Sequence, residues 1–117
     1  MVKLMRCLQC REDISLVEFR RFWNDPNYEA LLKKLVDMSQ AISFTSSITL
    51  QIDINQELAE IHGTSKPFDG VVVVAWENAQ AVLAMRNDDE GLQSIDDVLA
   101  FEDQFIDRTQ SRYFFTE

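Results

Sequence analysis

Histidine occurs once, cysteine and proline twice each, and glycine three times in 117 residues. One imidazole, His62, cannot build a multi-histidine metal site or hold a haem between paired imidazoles. So little glycine and proline, beside 46% hydrophobic and 26% charged residues, is the composition of an ordinary globular domain and excludes disorder. Long apolar runs are missing too. The longest, Val71 to Trp76, has the length of a buried strand and falls far short of the ~20 residues that span a bilayer. Positive charge is scarce, with 11 Lys and Arg against 20 Asp and Glu for a net charge of −9. That field repels a phosphate backbone and an anionic membrane surface, so neither nucleic acid nor membrane is an expected partner. Lys3 and Arg6 interrupt the opening apolar stretch and no small-residue cleavage site follows, so a cytoplasmic location is expected, in keeping with two thiols that stay reduced.

What is present reads as one domain over residues 1–117, at the usual size for a single core. Val2 to Cys10 alternates with apolar residues on both sides: Val2, Leu4, Leu8 and Cys10 face one way, Met5 and Cys7 the other. A strand apolar on both faces lies between two layers. Ser15-Leu16-Val17-Glu18 is a capping box that starts a helix, and Phe19, Phe22 and Trp23 recur at helical spacing. Asp25-Pro26 interrupts that helix and restarts it, with Asp25 as the cap and Pro26 in the first turn. Tyr28, Leu31, Leu32, Leu35 and Met38 continue the stripe, giving one long, broken helix from Leu16 to about Met38.

Ile42, Phe44, Ile48, Leu50, Ile52 and Ile54 alternate with polar residues and predict a long second strand that overshoots a small sheet. Asn55 to Ser65 reads as a connection with one helical turn, and Phe68 to Trp76 as a third strand apolar on both faces. Asn78 caps a second helix through Val82, Leu83 and Met85. Asn87 to Gly91 is an acidic break, and Ser94 caps a short helix through Val98, Leu99, Phe101 and Phe105. Ser111 to Thr116 is the last strand.

The order β-α-β-β-α-β is the split βαβ, ferredoxin-like arrangement: an α+β fold whose four-stranded antiparallel sheet has the first and third strands in its centre. Helices cover only one face of such a sheet. Met5, Cys7 and part of the valine run lie on the other, so a homodimer packed sheet to sheet is expected, with the long second strand reaching the partner's edge.

Met1 to Leu4, the S-x-x-E-F-R-R-F-W of Ser15 to Trp23, Phe68-Asp69-Gly70-Val71, Phe105-Ile106-Asp107 and Ser111-Arg112-Tyr113-Phe114 follow one another in an order and spacing that resembles the EthD-like family of dimeric α/β-barrel proteins. The resemblance runs nearly end to end. It implies a ferredoxin-like protomer, a dimer whose sheets form a barrel, and a pocket between each sheet and its helices. Relatives include polyketide cyclases, dehydratases, haem-handling proteins and small monooxygenases. Family members commonly carry a histidine four residues after the tryptophan of the first helix; Asn27 stands there in this chain, and Asn does not titrate near neutral pH.

Cys7 and Cys10 form a C-x-x-C on a strand, where positions three apart diverge, so core thiols are expected rather than a redox or zinc pair. His62 before Gly63 suits the end of a helical turn. Asp88, Asp89, Glu90, Asp96 and Asp97 lack calcium-loop spacing and read as helix caps. Asp107 matches the family's F-x-D and is either a pocket acid or a structural one, pairing with Arg6 or Arg112 or capping a turn. The aromatic set offers either core or the lining of a flat apolar pocket. The leading expectation is an EthD-like protein, binding a small hydrophobic or aromatic molecule without cofactor or metal and supporting its cyclisation, dehydration or cofactorless oxygenation. Asp107, Tyr28 and Asn27 would orient a polar group, and Phe22, Trp23, Phe44, Trp76 and Phe101 would hold the apolar part. The alternative is a non-catalytic dimeric module for ligand binding or protein interaction.

Overall fold

In the computed structural model, which describes residues 1–117 throughout, the capping box closes reciprocally. Ser15 Oγ accepts from Glu18 N at 3.1 Å, and Ser15 N donates back to the Glu18 carboxylate at 3.4 Å. Helix α1 (Leu16–Trp23) follows, and Asp25 accepts from Asn27 N at 2.8 Å to start α2 (Pro26–Met38), with Pro26 in its first turn. The single long, broken helix is thus two helices with their own caps.

Four strands, β1 (Val2–Leu8), β2 (Ser43–Ile48), β3 (Gly70–Trp76) and β4 (Arg112–Thr116), form one antiparallel sheet in the order β2-β3-β1-β4. The two strands that are apolar on both faces, β1 and β3, are its centre. Helices α3 (Asp53–His62), α4 (Ala79–Arg86) and α5 (Asp89–Glu102) complete the chain, with a 3-10 turn at Arg108–Gln110 before β4. The helix-facing side of the sheet carries Val2, Leu4, Arg6, Leu8, Val72, Val74 and Trp76, and the core forms between them and Phe19, Trp23, Tyr28, Leu32, Val98 and Phe105. The ferredoxin-like α+β fold is the one expected. No helix is long and apolar enough to cross a membrane.

Gly70 shows why a glycine opens β3. A Cβ there would lie 2.5 Å from Cη2 of Trp23, so the indole of α1 packs directly on the strand backbone. Asp69, beside it, is buried and accepts from Cys10 N at 2.7 Å and from Gln9 Nε2 at 2.9 Å, which fixes the β1 exit against the β3 entry.

Two segments differ from the sequence reading. The second strand ends at Ile48 and does not run on to Ile54. Thr49 N bonds Asp69 O at 2.9 Å, Asn55 Nδ2 bonds Leu50 O at 2.7 Å, and α3 begins at Asp53. Ile54, Leu58 and Ile61 also recur at helical spacing, and that period wins once the strand has no neighbour left to pair with. The overlong strand reaching towards a partner is therefore replaced by a ten-residue helix whose apolar residues are exposed, Ile61 by 77%. The second difference is in α5. It starts at Asp89 under an Asp88 cap, and Ser94, expected to be a cap, is buried inside the helix. The acids of the expected break, Asp89 and Glu90, form its first turn, where the helix dipole favours them.

Candidate functional site

A cavity of about 520 Å³ lies between the sheet and helices α2, α4 and α5. Its floor is Val2, Leu4 and Arg6 of β1, Val72, Val74 and Trp76 of β3, Phe44 of β2, and Tyr113 and Phe115 of β4. Leu32, Leu35, Val36 and Ser39 form one wall and Val98 and Leu99 another, while α4 supplies the roof with Ala79, Val82, Leu83, Met85 and Arg86. Helix α4 buries none of its residues fully although its inner side is apolar, because the space beneath it is open rather than packed. Of 21 lining residues 18 are hydrophobic, the profile of a site for an apolar molecule. Trp76 is held in place by its indole, which donates to Ser39 O at 3.1 Å, and Ser39 Oγ donates to Val36 O at 3.0 Å.

The floor carries one charge. Arg6 follows Val2 and Leu4 on the inner side of β1 and is only 8% exposed. Its Nη2 pairs with Glu102 Oε1 at 2.5 Å, its guanidinium lies 5.5 Å from the centre of the Tyr113 ring, and Glu102 takes a second hydrogen bond from the Tyr28 hydroxyl on its other oxygen. Glu102 and Tyr28 are each 1% exposed. Burial pulls the Arg6 guanidinium down, but the charge and hydrogen bond of Glu102 outweigh it and hold Arg6 above its ordinary value as a permanent cation. The Tyr28 phenol is pushed well above its ordinary value, first by burial and then by the Glu102 charge, so it stays protonated.

The residues expected to form one site separate into three places. Phe44 and Trp76 line the cavity. Phe22, Trp23 and Phe101 instead join Tyr28, Phe19 and Phe105 in an aromatic cluster that fills the core between α1, α2 and α5. There Tyr28 stacks on Phe101 at 5.3 Å and Phe22 on Phe105 at 5.2 Å. Helical spacing reports only that these rings face inward, and inward here means against one another. Tyr28 reaches the cavity only through Glu102 and Arg6. Asn27 is exposed in the first turn of α2, and Asp107 stands outside the cavity altogether. Asp107 caps the 3-10 turn, accepting from Thr109 N at 3.1 Å and Thr109 Oγ1 at 2.7 Å, while its backbone ties Gln9 O to Ser111 Oγ. Its surroundings are a polar surface depression shared with Arg11, Asp13, Asp103 and Arg108. His62 sits at the exposed end of α3 with Nδ1 2.8 Å from Leu58 O, before the left-handed Gly63 (φ 65°). Cys7 is half-buried on the open side of the sheet, and Cys10, which is buried, directs its Sγ to Arg11 O at 3.2 Å.

Arg6, Glu102 and Arg86 are the site residues the sequence reading did not bring out. A trace of the first is legible: an arginine between Leu4 and Leu8 on the inner side of a central strand needs a buried acid, although 20 acids compete for that role.

A four-stranded antiparallel sheet with helices on one face and an apolar cavity between the layers defines the class, a ferredoxin-like α+β domain. Among solved structures, the chain is similar to a dimeric protein of unknown function and ferredoxin-like fold from Bacteroides fragilis NCTC 9343, with a TM-score of 0.63 and 10% identity over 99% of this chain and 94% of that one. At that identity the likeness carries the fold. No family model and no curated protein sequence matches the chain.

Proposed function

We propose that the chain is an EthD-like, cytoplasmic ligand-binding protein that holds a small hydrophobic or aromatic molecule between its sheet and helices and works as a sheet-to-sheet homodimer. The observation that carries this reading is the 520 Å³ cavity with 18 hydrophobic residues among its 21. Supporting the dimer, Met5, Cys7, Val71, Val73 and Phe114 share the open face of the sheet, and the Bacteroides fragilis protein of the same fold is described as dimeric. Binding rather than proton transfer is the better reading of the site. Cyclisation, dehydration and cofactorless oxygenation each need a group that takes or gives a proton near neutral pH, and no His, Asp, Glu, Cys or Lys lines the cavity. A protein-interaction module is the second reading, favoured by the exposed stripe Ile54, Leu58 and Ile61 on α3.

Filling the cavity tests the first. Thermal melts of the wild type with 2-naphthol should rise, since a ligand at a hundred times its Kd stabilises by about 2.7 kcal/mol. Val82→Trp, which puts an indole beneath the α4 roof, should fold normally and lose the rise. A wild type that responds to neither aromatic nor aliphatic probes would remove the ligand-binding reading and leave the interaction module.

A further inference from the structure

We infer that the molecule taken by the cavity is an anion, a carboxylate on an apolar body, with its head group held by Arg6 and attracted by Arg86. The inference rests on the ligand-binding reading and adds the chemistry of the head group.

The cavity wall is uniform except for its polar residues, and those present donors. Ser39 is occupied, its hydroxyl given to Val36 O and its carbonyl to Trp76. Glu102 is also occupied, one oxygen by Arg6 and the other by Tyr28, and it does not line the cavity. Arg6 remains. Only its Nη2 makes a hydrogen bond of good geometry, to Glu102, with the Tyr28 oxygen and the Tyr113 ring close by, so the Nε and Nη1 hydrogens are incompletely matched on a side chain that is 9% exposed. No side-chain nitrogen or oxygen in the chain is both sealed from solvent and without a partner, so these donors keep some access to solvent, and the cavity is the open space that Arg6 lines. An oxygen acceptor on a bound molecule would complete the guanidinium.

Arg86 adds charge. It lies on the last turn of α4, lines the cavity, and has no carboxylate within ion-pair distance, whereas Arg6, Arg11 and Arg108 are each paired. In a chain of net charge −9 the cavity is lined by two arginines and no acid, a local field opposite to that of the whole molecule. Arg6 is already neutralised by Glu102, so the surplus is one positive charge. That balance suits a singly charged, planar carboxylate, which matches the edge of a guanidinium, better than a phosphate dianion.

Matched probes test the head group: 2-naphthoate against 2-naphthamide, and decanoate against decanamide for a linear body, each titrated calorimetrically at neutral pH. The acid of one pair should bind about tenfold tighter than its amide, as a charge-assisted hydrogen bond implies. Arg6→Lys keeps a cation for Glu102 but removes the planar fork, and should erase most of the preference. Arg86→Gln changes an exposed side chain that carries no structural bond, and should weaken the acid about two- to threefold while leaving the amide unchanged, a readout that stands even if the Arg6 variant fails to fold. Acids and amides binding alike, or a preference that survives in both variants, overturns the inference and leaves the ligand-binding reading intact. If neither member of either pair binds, nor 2-naphthol, both fall together.

Discussion

Replacing Glu102 with Gln is expected to destabilise the fold by about 3–5 kcal/mol, the usual cost of removing one partner from a buried ion pair. The substitution keeps the shape and an acceptor for Arg6 or Tyr28, so what it removes is charge. Arg6, 8% exposed, then has no counter-ion within the core. Against a total stability of about 5–15 kcal/mol, that is a fifth or more, and urea unfolding will show it as a lowered midpoint at unchanged slope. Replacing all three members with apolar residues (Arg6→Met, Tyr28→Phe and Glu102→Leu) should leave the protein as stable as the wild type or more so, because burying two charges costs about what their attraction returns. A Glu102→Gln protein as stable as the wild type would show that the pair is solvated. The triple variant, folded but without the carboxylate preference, would locate the reason for a buried arginine in binding rather than in stability.

The same network sets a pH dependence. Tyr28 titrates above its ordinary value of 10 in the folded chain, through burial first and Glu102 second. Above pH 10 the unfolded chain releases this proton while the folded chain keeps it, so the stability present below pH 10 declines as pH rises. Unfolding midpoints measured on either side of pH 10 should fall less steeply in Tyr28→Phe than in the wild type.

Much of the architecture was legible because it is written locally. Ser15 with Glu18, and Asp25 with Pro26, start helices through their own neighbours, and the apolar runs of β1 and β3 announce central strands before any partner is known. What escaped depends on distant residues. From Ile48 to Ile54 the spacing fits a strand, and from Ile54 to Ile61 it fits a helix; the ladder with β3 ends at Ile48 and Gly70, with one further bond from Thr49 to Asp69, and the helical period takes over beyond it. The spacing of the aromatic residues left core and pocket lining equally open, and only the packing shows that Trp76 borders a void while Trp23 lies against Gly70. Glu102 resembles any acid at a helix end until Arg6, 96 residues earlier, is brought to it. Asp107, matched to a motif, turns out to sit where its carboxylate holds a turn.

Val73→Glu is expected to convert the proposed dimer into folded monomers. Val73 lies on the central strand β3, opposite Met5 of β1 and Thr45 of β2, and its side chain points away from the helices. On that face Phe114 is 48% exposed, and Met5, Cys7, Val71 and Val73 are half-buried. In a two-fold pair of sheets the substitution places a glutamate in each of two facing surfaces, where desolvation and like-charge repulsion act together. A penalty of about 4 kcal/mol raises the dissociation constant roughly a thousandfold. In the monomer the same side chain faces water, so circular dichroism and the cavity should be unchanged, since every lining residue comes from one chain. Sedimentation equilibrium at micromolar concentration should therefore give two chains for the wild type and one for Val73→Glu. Ile61→Glu on α3 supplies the contrast, because it should remain dimeric if the sheet is the interface. Dissociation by the α3 substitution alone would move the interface to that helix, and a monomeric wild type would end the sheet-to-sheet reading.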